Sequence, residues 1–461
     1  MRTVKIAFRN IFRNTRRSIM TILAIGVSAV SIILFGGFVF SILYGLQTSI
    51  VKNTGHLHVY QKGFFDYGSG NPSAYSIADY EGVIKTIKQD AVLKDRVLVA
   101  TPILKVYGIA GNFTAETSKT FFGIGVIPSD RETMMKWNQY GLKSTRSQEL
   151  GLFNEDLEGG VVGYGMARML GLCYALNVPD CAPQPVASAS KDAPPEEDFT
   201  ELVKYDVGSR PEPEDKRPKI DLLAATAAGA PNVVALFVNK AENQTVKEMD
   251  DVFVAMHLSK AQRLLYGKGE KKATGIVLQL EHTQDIPLVS GRLRQIFAEK
   301  NLELQDFKKL SPNYKQIISM FNSIFSFLSI VMGVIVLFTI VNTMSMSVME
   351  RVNEIGTLRA LGVRRGGILR QFLVEGCLLG AIGASIGCLI GTLVALAINS
   401  SGMTWMPPNN AEPVFLTIQA FQNPVFIPMV WLLLIVLSTI SSLIPARKAA
   451  HMTIVDALGH V

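Results

Sequence analysis

The residues able to do chemistry are few, and their spacing points away from catalysis. His56 and His58 stand two apart in GHLHVYQ, which sets both imidazoles on one face of a strand. No third ligand is close in sequence, so they read as satisfied or surface histidines rather than metal ligands. Cys173 and Cys181 lie eight apart in LGLCYALNVPDC. In an oxidising compartment they are a disulfide candidate; two small buried thiols are the alternative, and a zinc site is disfavoured without nearby histidines. Cys377 and Cys388 fall in an apolar run and read as packing residues. The pattern G-x-x-x-x-G-K-[ST] does not occur, so nothing here should cradle nucleotide phosphates. YGKGEKKATG (266–275) has glycines and lysines without the spacing or a preceding apolar strand. The serines, histidines and aspartates show no nucleophile-elbow pattern. No catalytic, cofactor-binding or metal-binding residue is assigned.

The elements that would position any site are dominated by apolar runs. Of 461 residues, 48% are hydrophobic and 18% charged, and charge-free runs occupy 18–51, 316–349, 376–411 and 413–446. Each exceeds the roughly 20 apolar residues that cross a bilayer core of about 30 Å. The net charge of +7 is sorted along the chain: residues 1–17 carry +6, the 350–370 loop +3 and the tail after the last run +1, leaving −3 elsewhere. The 399–423 loop has no Lys or Arg. Positive charge concentrates in short cytoplasmic segments, so both termini and the 350–370 loop are expected inside, with 47–315 and 399–423 outside. The basic balance marks membrane orientation, not nucleic acid. The first run is too long for a signal-peptide core and reads as a retained anchor.

This expects an α-helical membrane protein with four transmembrane helices and a large α+β two-lobed extracytoplasmic domain between helices 1 and 2. The divisions are a cytoplasmic amphipathic helix 1–17, with Val4, Ile6, Ala7, Ile11 and Phe12 among arginines, then span one at 18–46. An external domain follows at 47–315, its outer lobe about 113–230. Span two is 316–349, a cytoplasmic coupling helix and loop 350–365, span three 366–398, an external loop 399–423, span four 424–446 and a cytoplasmic tail 447–461. Within the domain, 55–61, 97–110, 120–128, 231–239, 250–258 and 274–281 read as strands. Helices are expected at 78–89, 159–172, 260–267 and 287–300, and a mobile Pro-, Ala- and Ser-rich insertion at 182–220.

The loop MERVNEIGTLRALGVRRGGILRQFLVEG (349–376) is the most informative segment. Val352, Ile355, Leu358 and Leu361 recur every three residues, giving a short helix with one apolar face that Gly362 can end in a left-handed conformation. The polar side then offers Glu350, Arg351, Glu354 and Arg359 to the cytoplasm. In span three, Gly376, Gly380, Gly383, Gly387 and Gly391 line one side at spacings of four or three, a packing seam for a neighbouring span or a partner protomer. Glu375 reads as interfacial rather than as a proton carrier.

ERVNEIGTLRALGVRR resembles the cytoplasmic loop of FtsX-like ABC transporter permeases, which include lipoprotein-releasing and MacB-type subunits. RNIFRNTRRS (9–18) is similar to the family's N-terminal helix, and PARKAAHMTIVDAL (445–458) to its closing motif, with Thr453 where proline is usual. GHLHVYQKGF (55–64) looks closer to the lipoprotein-releasing branch than to the macrolide-efflux branch. The resemblance implies a multi-pass protein of the bacterial inner membrane. It also implies a permease dimer, with an identical or paralogous second protomer, over a dimeric cytoplasmic ABC ATPase that uses ATP and Mg while this chain binds no cofactor. Glu350, Arg351, Glu354, Leu358 and Arg359 would contact the ATPase. The substrate would be a lipoprotein taken from the inner membrane, with a periplasmic acceptor as a further partner; efflux of a drug or peptide, or mechanical control of a cell-wall hydrolase, are the alternatives. The sequence departs from the family after LGL (170–172), where CYALNVPDC and the proline-rich insertion intervene.

Overall fold

The structure, a computed structural model, describes residues 2–13, 15–68, 72–143, 150–181, 215–244, 247–267, 269–406 and 413–453. The chain begins with α1 (Arg2–Arg13) and α2 (Thr15–Thr54). A mixed domain follows: β1 (Leu57–Gln61), α3 (Tyr80–Gln89), β2 (Val97–Asn112), β3 (Thr117–Val126), α4 (Pro128–Lys136), β4 (Gly159–Gly163), α5 (Tyr164–Met169), β5 (Lys219–Ala225), β6 (Pro231–Glu242), β7 (Phe253–His257), α6 (Leu258–Tyr266), β8 (Gly275–Leu280), α7 (Ile286–Ile296) and β9 (Leu302–Asp306). Then come α8 (Pro312–Glu350), α9 (Val352–Ala360), α10 (Arg365–Ser401) and α11 (Phe426–His451). Helices α2, α8, α10 and α11 are long and apolar enough to cross a membrane. The fold is a four-span helical membrane protein with an α+β domain between spans one and two.

The sheet has the order β3-β7-β4-β6-β5-β2-β8-β1-β9, with β3 also paired to β2. Strand β2 is therefore shared. Its first half pairs with β8 (Ala100 opposite Leu278), and its second half pairs with β3 (Tyr107 opposite Phe122) and β5 (Ile109 opposite Leu223). The second set closes a ring of six strands, β2-β3-β7-β4-β6-β5, which leaves those six no free edge. Helix α6 packs against β2, β3, β5, β6 and β7. Under the open half, Val83 and Ile87 of α3 and Val289 and Leu293 of α7 join one core with Leu57, Val59 and Leu278.

Four expectations for this domain change. Residues 159–172 are not one helix: GGVVG is a fully buried strand, and only Tyr164–Met169 is helical. A Cβ on Gly160 would sit 2.5 Å from Leu236, so the glycines that suggested a helix start instead admit the neighbouring strand. The expected insertion overlaps β5, which begins at Lys219, while its residues 182–214 lie outside the described residues. A lobe boundary at 230 would part β5 from β6, which pair from Lys219–Phe237 to Ala225–Pro231; the ring extends to His257. Helix α4 and strand β9 were not foreseen. Cys173 and Cys181 form a disulfide, 6.0 Å apart at Cα.

Span one likewise has no break at 46. Helix α2 runs 40 residues, about 60 Å at 1.5 Å per residue, and α8 runs 39. Both exceed a bilayer core of about 30 Å, so each carries a stalk that lifts the sheet clear of the apolar layer. The glycines of α10 serve two neighbours. A Cβ on Gly376 or Gly380 would lie 2.6 Å from Ser442 or Ser438 of α11. One on Gly383 would lie 2.8 Å from Ile25, one on Gly387 2.5 Å from the Gly26 carbonyl, and one on Gly391 3.4 Å from Ile33, all on α2. The seam is thus internal to the chain, and Ser438 Oγ donates across it to the Gly376 carbonyl at 2.6 Å.

Candidate coupling site

At the bundle end remote from the sheet, α9 joins α8 to α10 and is held from three sides. The helix breaks at Arg351 (φ −111°, ψ 17°) and resumes for nine residues. It stops where Gly362 turns left-handed at φ +91°, with Val363 N–H donating to Leu358 O and Gly362 N–H to Arg359 O. Arg351 is buried and pairs with Glu375 of α10 at 3.2 Å; its other terminal nitrogen donates to the Asn10 carbonyl of α1 at 3.4 Å. Glu354 pairs with Arg13 at 2.8 Å, and Glu350 with Arg17 at 2.5 Å. Arg359 donates to the carbonyls of Ala450 and Met452 at 2.9 and 3.4 Å, satisfying acceptors at the end of α11.

This geometry revises the expected contact set. Arg351 does not face outward; a guanidinium in this packed position needs a carboxylate beside it, and Glu375, itself buried, supplies one. Val352 and Ile355 are buried, Leu358 is half-buried and Leu361 is 77% exposed beyond the helix end. The three-residue spacing explains this: each step turns about 60° back around a helix of 3.6 residues per turn, so four positions sweep half its circumference. The outward surface includes Asn353, Glu354, Thr357, Leu361, Arg364 and Arg365. Sequence reasoning missed Glu375 as a partner; its one usable signal was an ionisable residue at the edge of an apolar run.

At the opposite end, the sheet grips the stalks. Strand β1 starts three residues after α2 ends and pairs with β9, which leads into α8, Leu57 standing opposite Asp306. Arg131 of α4 donates to the carbonyls of Lys52 and Asn53 at 2.8 and 2.7 Å, capping the last turn of α2. Burial holds the Arg131 guanidinium down at about 10. His56 is buried, its Nδ1 accepting from the Leu280 N–H at 3.0 Å and its Nε2 3.1 Å from the Thr283 hydroxyl. That tautomer is neutral, and burial with the charge of Lys308 pushes His56 down to about 3. Burial, with Lys105 nearby, does the same to His58. Tyr140 stacks on Tyr44 of α2 at 4.2 Å, and Gln422 donates to the Tyr140 carbonyl at 3.0 Å, so the loop before α11 also meets the domain. Among the described residues, no group of three or more His, Cys, Asp or Glu is placed to hold a metal.

Residues 326–454, which include α9 and its partners on α10 and α11 but not those on α1, match the family described as FtsX-like permease C-terminal. The chain is 26% identical over 221 residues to the macrolide export ATP-binding/permease protein MacB of Campylobacter jejuni subsp. jejuni, covering 47% of this chain and 32% of that protein. It is 27% identical over 222 residues to an uncharacterized ABC transporter permease of Methanocaldococcus jannaschii, covering 47% of this chain and 52% of that one. The match thus spans about a third to a half of these relatives' length. Among solved structures, the periplasmic region of MacB from Actinobacillus actinomycetemcomitans aligns with a TM-score of 0.30 at 10% identity, over 57% of this chain and 95% of that one. The C-terminal membrane region, residues 326–454, is thus a domain of the FtsX-like permease type.

Proposed function

We propose that this chain is the membrane subunit of a machine in which a separate cytoplasmic ABC ATPase drives motion of the sheet domain outside the membrane. The observation that carries this is the three-sided anchoring of α9. A push on α9 reaches α1 through Glu354, α10 through Arg351 and α11 through Arg359, and reaches α8 directly through the chain. The charge distribution orients α9 and both termini to the cytoplasm of a bacterial inner membrane. The stalks of α2 and α8 enter paired strands, so relative movement of the two helices shears or rotates the sheet. With α2, α10 and α11 in close contact along the glycine seam, the work is done on something outside rather than passed through one protomer. The unit is a dimer of such chains, identical or paralogous, on an ATPase dimer.

The substrate reading is extraction of lipoproteins from the outer leaflet for transfer toward the outer membrane, supported by the GHLHVYQKGF segment. Export of a small molecule is the second reading, favoured by the name of the Campylobacter relative. Control of a cell-wall hydrolase is a third, and specific binding of such an enzyme to 47–315 would favour it. Replacing Glu354 and Arg359 with alanine is expected to abolish stimulation of ATP hydrolysis in the complex. Depleting the chain in its host is expected to strand acylated lipoproteins in the inner membrane. Normal coupling in the variant would overturn the site, and unchanged partitioning would overturn the substrate reading.

A further inference from the structure

We propose that α1 and the first turn of α2 bind anionic phospholipid headgroups of the cytoplasmic leaflet, and that this binding sets the position of α9. The inference rests on the coupling reading of α9. The arginines of this segment divide by direction. Arg13 and Arg17 are committed to Glu354 and Glu350. Arg9 and Arg16 are exposed, and among the described residues neither has a carboxylate partner. On the other side of α1, Ala7 and Ile11 are buried, and the Asn10 carbonyl accepts from Arg351.

Depth follows from that last contact. One guanidinium bonds both Asn10 and Glu375, so α1 lies level with Glu375, where the charge-free run of α10 begins. That is headgroup level. Phe8 is 49% exposed beside Arg9, and Ile19, Met20 and Leu23 form the exposed apolar surface that follows. Exposed cations beside an exposed aromatic, just above a lipid-facing stripe, match an acidic headgroup on an acyl chain. No acidic residue occurs in 1–17 to offset the charge. Because the same short helix holds Arg351 and Glu354, a change in how firmly lipid seats it is passed to α9 within two side-chain contacts.

The test uses the full chain co-expressed with its ATPase and reconstituted in phosphatidylcholine nanodiscs, with or without phosphatidylglycerol. Retained phosphatidylglycerol is measured by mass spectrometry, and ATP hydrolysis in parallel. A basic residue near an anionic surface strengthens binding about fivefold, so R9Q/R16Q is expected to weaken phosphatidylglycerol retention by roughly 30-fold. Its hydrolysis rate should match the parent in phosphatidylcholine and lose the response to phosphatidylglycerol. R9K/R16K, which keeps the charge, should behave as the parent. Undiminished retention by R9Q/R16Q overturns the binding surface; retention through these arginines with no effect on hydrolysis overturns the link to α9. If the parent forms no complex with an ATPase, the coupling reading has failed, and the lipid measurement still decides the role of Arg9 and Arg16.

Discussion

The guanidinium of Arg351 lies 3.2 Å from the carboxylate of Glu375, and both side chains are almost wholly shielded, at 3% and 5% exposure. The pair joins the start of α9 to α10 across 24 residues of chain, independently of the turn at Gly362. Helix α9 is therefore a fixed part of the bundle before any partner meets it.

Removing one member of that pair should cost far more than removing both. Glu375→Ala leaves a buried, uncompensated guanidinium, and an expected loss of about 3–5 kcal/mol. Arg351→Met with Glu375→Leu should fall within about 2 kcal/mol of the parent. Denaturant unfolding in mixed micelles reads both; equal losses would mean the pair does not act as a unit.

The glycine seam separates two positions of the same residue type. Gly387→Ala drives a methyl against the Gly26 carbonyl and Ala29, and should destabilise by about 1–3 kcal/mol by forcing α2 and α10 apart. Gly391→Ala meets Ile33 at 3.4 Å and should be close to neutral. Thermal unfolding of the two variants side by side makes the comparison.

The external domain should weaken in mild acid. His56 and His58 are held near 3 when folded, against an ordinary 6.5, so the unfolded chain binds the extra protons. Stability is complete above 6.5 and falls as pH drops from 6.5 toward 3, by about 2 kcal/mol per histidine at pH 5. Chemical denaturation of the full chain at pH 7.5 and pH 5, repeated for His56→Gln, should show a shallower pH slope in the variant.

Leu361, 77% exposed, should matter for a partner and not for the fold. Leu361→Asp is expected to weaken ATPase binding tenfold or more while leaving the unfolding midpoint unchanged. Ile355→Asp, which buries a carboxylate among apolar neighbours, should instead destabilise the chain itself. Co-purification with the ATPase and a melting curve for each variant separate the two roles.

Local patterns carried much of this protein. Charge-free runs longer than a bilayer is thick marked the four long helices, and the positions of Lys and Arg give the orientation proposed for them. Alternating β-branched segments located β1, β2, β3, β6, β7 and β8. These properties depend on neighbours a few residues apart, so they can be read along the chain. Gly362 as the left-handed stop of α9 was legible for the same reason, since only its own φ had to be satisfied. Tertiary structure decided the rest. Whether Arg351 points to water or to Glu375, and which helix each glycine of α10 approaches, are set by packing between residues tens to hundreds apart. Closing β2 onto β3 and β5, and seating Arg131 on the end of α2, likewise need the assembled domain. A buried charge or a helix end must find a partner, but sequence states only the need; the packed structure chooses which group meets it.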